Sequence, residues 1–167
     1  MINGSGGVGK DTFVELVSIE LNNILKRFHT VVNFSSVDKV KEIAREIGWD
    51  GGKSEKDRKF LSDLKKLSGE FCDMPFQSMK SKVDEFNKDE NGQILFLHIR
   101  EPEEIKRVVR EFEAKTVLIT RDTVKHIVSN ISDMNVFNYN YYYVINNSGT
   151  IEDLKEKVKQ FLDETIK

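Results

Sequence analysis

Apolar residues recur along this 167-residue chain with two alternating periods. Over 11–27, Phe13, Val14, Leu16, Val17, Leu21, Ile24 and Leu25 fall at three- and four-residue spacings, the period of a helix that buries one face. The run Thr30-Val31-Val32-Asn33-Phe34 is short and rich in β-branched residues, which predicts a strand. Helical spacing returns over 37–47 (Val40, Ile43, Ala44, Ile47), over 56–71 (Phe60, Leu61, Leu64, Leu67), and over 76–87 after Pro75. The glycines of 48–54 mark a loop between the first two of these. Asn91-Gly92 is a turn, and the nearly continuous apolar run 94–99 behind it suits a parallel strand buried on both faces. A helix is predicted over 102–112, with Pro102 at its start and Glu101, Glu103 and Glu104 around its first turn. Segments 116–120 and 141–145 read as further strands, and 151–166 as an amphipathic helix opened by Thr150. The stretch 122–140 is polar and irregular, with a helix expected in its first half.

Strands that alternate with helices predict an α/β fold whose parallel sheet lies between helices. Ligands in such folds bind outside the carboxyl ends of the strands. That rule singles out residues 4–11 and 35–41, Arg100, Arg121, and Asn146-Asn147.

The chain opens Met1-Ile2-Asn3-Gly4-Ser5-Gly6-Gly7-Val8-Gly9-Lys10-Asp11-Thr12. Gly4, four intervening residues, and then Gly9-Lys10 fit a phosphate-binding loop. Glycines let the backbone wrap an anion with its N–H groups turned inward, and the following helix aims its positive end at the same charge. Lys10 adds a mobile cation for the β- and γ-phosphates of a nucleoside triphosphate. Asp11 stands where Ser or Thr usually serves Mg²⁺, and a carboxylate oxygen also suits that ion. Thr12 offers a hydroxyl to a phosphate. The three fixed residues occur by chance at this one place roughly a few times in ten thousand. Only Met1 and Ile2 precede Asn3 and Gly4, so the first strand is either very short or begins upstream; a strand cut this short would weaken the sheet and loosen the loop.

Charge narrows the function classes. Lys and Arg total 26 against 28 Asp and Glu, a net charge of -2 with no strongly basic stretch, which argues against general nucleic-acid binding. No signal peptide or membrane span is visible, so the expectation is a cytoplasmic protein with no membrane partner. Cys72 is the single cysteine; a structural thiol in a reducing compartment is the expected role.

Arg100 and Arg121 each follow a predicted buried strand, where two guanidinium groups beside a phosphate loop suit a second phosphate and a transferring phosphoryl group. Arg58, in a charged cluster early on a helix, is a candidate for an acceptor phosphate, although taken alone it reads better as an ordinary exposed charge. Ser36, Asp38 and Lys39 follow the second strand; helix capping is the plainer role there, with substrate contact less favoured. His98 is expected as a buried structural histidine inside the third strand. Lys125 and His126 would reach phosphates only if their segment closes as a lid, with a surface position the default.

These residues together resemble a known family. Gly4-Ser5-Gly6-Gly7-Val8-Gly9-Lys10-Asp11-Thr12 is similar to the Gly-Lys-Asp-Thr loop of phage and bacterial deoxynucleoside monophosphate kinases. Arg100-Glu101-Pro102-Glu103-Glu104 resembles that family's Arg-x-Pro-Asn-Glu segment, and 144–154 its final strand, Asn-rich turn and closing helix. His98 stands where the family usually has an acidic residue, and no arginine follows Arg121. The resemblance implies a P-loop NTPase three-layer α/β/α fold of nucleoside-monophosphate-kinase type. It implies one domain over 1–167, with an acceptor-binding insertion at about 36–90 and a lid at about 121–140. The implied activity is ATP-dependent transfer of a γ-phosphoryl group to a nucleoside or deoxynucleoside monophosphate. ATP would lie on residues 4–12, Asn146 and Asn147, and Mg²⁺ near Asp11. The acceptor would contact Ser36, Lys39, Arg58 and Arg100. Lys10, Arg100 and Arg121 would act on the transferred group. The partners are then small nucleotides, and a homodimer is compatible. Two rival readings are another small-metabolite P-loop kinase, of phosphomevalonate or dephospho-coenzyme A type, and an ATP-binding relative without catalysis.

Overall fold

The computed structural model describes residues 1–26, 30–122 and 135–166. Its strands are β1 (Ile2–Asn3), β2 (Thr30–Ser35), β3 (Gly92–His98), β4 (Val117–Thr120) and β5 (Tyr143–Asn146). Its helices are α1 (Lys10–Leu25), α2 (Asp38–Glu46), α3 (Glu55–Cys72), α4 (Met74–Phe86), α5 (Pro102–Phe112) and α6 (Ile151–Thr165), with a 3₁₀ turn at Asn135–Phe137. Two compact units result: Met1–Asn33 with Asp89–Lys167, and Phe34–Lys88.

In the first unit the strands form one parallel sheet in the order β2-β3-β1-β4-β5. β1 has only two residues, yet it is central: Ile2 is in register with His98 on one side and Val117 on the other, and Asn3 with Leu118. Ile2 is wholly buried. Phe96, Val117, Ile119 and Ile145 share a core cluster with residues of α1 and α6, which pack side by side. The alternating positions Leu97, Ile99 and Leu118 are buried as well, as are Ile105 and Val108 of α5. A sheet apolar on both faces needs cover on both, and the arrangement is compatible with three α/β/α layers. An aromatic group anchors the cluster. Phe13 meets Phe96 and Phe161 edge-on at centroid distances of 6.2 and 5.4 Å, and Tyr143 meets Phe161 at 5.2 Å. Edge-on geometry sets the positive rim of one ring against the negative face of the next.

The second unit holds α2, α3 and α4. Val40, Ala44, Phe76 and Met79 are buried there. Ser54 and Asp57 form a capping box at the start of α3, each satisfying the other's backbone N–H. The S-x-x-D spacing carried that signal, and α3 begins at Glu55, one residue ahead of the predicted start.

Several boundaries and burials differ from the sequence reading. α3 has no fully buried residue, and Leu67 and Phe71 face solvent despite their helical spacing. Its apolar stripe is wider than the face that its neighbours cover. The last strand begins at Tyr143 rather than Tyr141. The Tyr142 N–H bonds the Thr116 hydroxyl at 2.8 Å instead of joining the ladder, and Tyr141 turns inward. His98 is the last residue of β3 and only half-buried, not embedded within the strand. Cys72 ends α3 exposed, so it is not a core-filling thiol. The helix expected in the first half of 122–140, together with Lys125 and His126, lies outside the described residues apart from Asp122. No helix among the described residues is long and apolar enough to cross a membrane.

The aromatic group gives the first test. Phe161→Ala should destabilise the protein by about 3–5 kcal/mol through the cavity it leaves. Phe71→Ser, at a residue 87% exposed, should change stability by less than about 0.5 kcal/mol. Urea unfolding followed by far-ultraviolet circular dichroism measures both.

Candidate functional site

β1 ends between β3 and β4, at the point where the chain's later strands part to either side of it. The loop 4–9 leaves the carboxyl end of β1 and runs directly into α1. Its first glycine has no room for a side chain. Gly4 sits at φ 147°, and a Cβ there would fall 2.5 Å from the Ile119 carbonyl oxygen and 2.9 Å from Val8 Cγ2. At the other end Gly9 takes φ 91°, a left-handed conformation that turns the chain into the helix. Val8 is buried in the main core cluster, while Gly6 and Gly7 form an exposed crest. The loop is thus plugged from below and open above.

No side chain caps the start of α1. Its first-turn N–H groups and positive end therefore face the loop without a competing acceptor from a cap. Lys10, the first helical residue, folds its ammonium back onto the Gly4 and Ser5 carbonyl oxygens at 2.7 and 2.9 Å. Asp11 is exposed beside it, and Thr12 is half-buried. Among the described residues no cluster of three or more His, Cys, Asp or Glu side chains is arranged to hold a metal ion. One carboxylate is enough for a Mg²⁺ that arrives on phosphate oxygens and keeps most of its waters, which is the fit that Asp11 offers.

Two asparagines grip the loop from beneath. Asn3, 1% exposed, accepts the Gly4 N–H on Oδ1 at 2.8 Å. Its Nδ2 donates to the Tyr141 hydroxyl at 2.7 Å and to the Arg100 carbonyl at 3.5 Å. The Tyr141 hydroxyl in turn donates to the Val136 carbonyl at 2.7 Å. Asn147 donates from Nδ2 to the Val8 carbonyl at 2.9 Å, and its backbone N–H donates to the Thr120 carbonyl at 2.7 Å. Sequence reasoning missed Asn3 and Tyr141. A polar residue at the end of a central strand was a visible signal for Asn3. Tyr141 gave none, because its partner lies 138 positions away.

The remaining candidates of the first unit line the same edge of the sheet. Arg100 is exposed two residues beyond β3, and Arg121 is exposed directly after β4. His98 pairs through Nε2 with Asn33 Oδ1. Asn146 ends β5 opposite Thr120 and donates to Asp122 at 3.1 Å, while Asn147 is buried under the loop. Ser36, Lys39 and Arg58 belong to the second unit. Ser36 is buried, Lys39 is paired with Glu42 at 2.7 Å, and Arg58 is exposed in the first turns of α3. Neither Ser36 nor Asp38 caps α2. Val37 occupies the cap position, and Asp38 accepts the Ser35 N–H at 2.7 Å. Of the expected lid, residues 123–134 are outside those described. Comparison with protein-family models and with curated proteins found no match.

Two outcomes follow from this geometry. Gly4→Ala should lower stability by about 1–3 kcal/mol, since it adds a clash to a strained φ. Gly6→Ala, where a Cβ meets nothing within 4 Å, should stay within about 0.5 kcal/mol by thermal unfolding. The second outcome concerns pH. Burial pushes the Tyr141 hydroxyl up to about 12 from 10.0, so the folded state holds this proton where the unfolded chain releases it. The stability this contributes is complete below pH 10 and is lost as pH rises through about 12. Unfolding midpoints followed across that range should fall more steeply for wild type than for Tyr141→Phe.

Proposed function

We propose that this chain transfers the γ-phosphoryl group of ATP, with Mg²⁺, to a small phosphorylated acceptor, a nucleoside or deoxynucleoside monophosphate. The observation that carries the reading is the loop 4–9: left-handed at Gly9, open at its Gly6-Gly7 crest, and continuous with an uncapped helix that begins at Lys10. Its place at the carboxyl end of the central strand, where the strand order divides, supports the same reading.

In this mechanism the backbone N–H groups of the loop and of the first turn of α1 hold the β- and γ-phosphates. Lys10 leaves the Gly4 and Ser5 carbonyls and takes phosphate oxygens as its partners instead. Asp11 is the residue to hold Mg²⁺, which neutralises charge on the phosphates when bound. Arg100 and Arg121 supply guanidinium groups for the charge that spreads over the transferring phosphoryl group. Asn146, at the end of β5, is assigned to the adenosine side of the donor. Ser36, Lys39 and Arg58 are assigned to acceptor recognition by their chemistry, a hydroxyl and two cations. Phosphoryl transfer asks the protein for little covalent chemistry, so positioning and charge stabilisation carry the rate.

His98 favours a second reading. Where the kinases that this sequence resembles usually place an acid, an imidazole is paired with Asn33, and an imidazole serves poorly beside a hard cation. A nucleotide-binding protein without turnover would tolerate this.

One experiment separates the two. ADP release from Mg-ATP is measured with each nucleoside and deoxynucleoside monophosphate, then with phosphomevalonate and dephospho-coenzyme A. Stimulation by one acceptor or a small set is expected, with Lys10→Met lowering turnover by about a hundredfold or more while the fold survives. Retained turnover in Lys10→Met would sink the kinase reading. ATP binding with no stimulation by any acceptor would establish the second.

A further inference from the structure

We propose that Asn3 and Tyr141 form a buried relay that sets the position of the phosphate-binding loop, with both as positioning residues that act through Gly4. The inference rests on the phosphate-binding reading of that loop and extends it to two residues that no phosphate touches.

The relay has a single polarity. The Gly4 N–H can only donate, so the Asn3 oxygen must face it and the Asn3 NH₂ must face Tyr141. That NH₂ can only donate, so the Tyr141 oxygen accepts and its proton goes to the Val136 carbonyl. Reversing any member leaves two donors or two acceptors in contact. The amide of Asn3 is therefore locked in one orientation, and the Gly4 N–H is locked to it. Gly4 itself is wedged against the Ile119 carbonyl and Val8, so the loop leaves β1 in one direction.

A merely space-filling role would not need these atoms. Asn3 is 1% exposed and Tyr141 8%, in surroundings where an apolar pair would pack without polar groups to satisfy. Asn147 completes the hold by binding the Val8 carbonyl farther along the loop. Residues on both sides of β5, Tyr141 before it and Asn147 after it, thus fix the two ends of a loop that lies more than 130 residues earlier in the chain. The exposed crest between those grips is what a phosphate would meet.

The test compares wild type with Tyr141→Phe, which removes one oxygen and leaves the Asn3 NH₂ buried and short of a partner. In the free protein, loop amides 4–9 should exchange with solvent about tenfold faster, while the amides of α6 exchange as before. Affinity for Mg-ADP should fall about tenfold, measured by calorimetry. The double variant Asn3→Leu/Tyr141→Phe removes the unpartnered Asn3 amide but leaves the Gly4 N–H and the Val136 carbonyl without theirs, so it should recover only part of any melting temperature lost in the single variant. Its loop amides should exchange at least as fast as those of the single variant, since the Gly4 N–H now loses its acceptor as well. Unchanged loop exchange in Tyr141→Phe would overturn the relay, and so would acceleration in α6 equal to that in the loop. If the single variant proves too unstable to purify, the double variant carries the same exchange measurement. Wild type that fails to bind Mg-ADP would overturn the nucleotide reading by itself, and free-state exchange would still decide the relay.

Discussion

β1 must hold a glycine loop in place with only two residues of strand. Ile2 and Asn3 do so by pairing on both sides, with β3 and with β4, so that the short segment is fixed by its neighbours rather than by its own length. The demand propagates outward. The loop can lean on β4 only because Gly4 lacks a side chain against Ile119. Val8 plugs into the core cluster whose aromatic floor is built by Phe13 of α1 itself with Phe96 of β3 and Phe161 of α6. The start of α1, and with it Lys10, is placed by that floor and by the turn at Gly9.

The periodic parts of the fold were legible in the sequence because each element states its own period locally. The α5 boundaries match the predicted 102–112, and the remaining helices shift by one or two residues where caps rather than periodicity decide. What stayed hidden was set by distant partners. Leu67 and Phe71 continue a helical stripe, and nothing in that spacing says that no neighbour reaches them. His98 sits in an apolar run, but its pairing with Asn33 depends on β2 lying beside β3. Tyr141 belongs to a tyrosine-rich stretch that reads as strand, and only the fold reveals that its hydroxyl turns inward to a residue near the start of the chain.

The candidate site shows the same division. Its loop was legible as a spacing of three residues, because the geometry they impose is local. Asn147 was legible as a polar residue past a strand end, but its work is to hold the Val8 carbonyl from below. The ammonium of Lys10 rests on two carbonyls of its own loop, so the free protein does not present a bare cation. An incoming anion has to offer better acceptors than two backbone oxygens. Under the proposed function, a highly charged polyphosphate offers such acceptors and a singly charged carboxylate does not.

Cys72 ends α3 with its sulfur in solvent, and the chain has no other cysteine. The second unit therefore carries a unique chemical address. A thiol-selective fluorophore placed there would label Phe34–Lys88 and nothing else. Its emission, set against that of the single tryptophan, Trp49, in the same unit, would give an optical ruler confined to that unit.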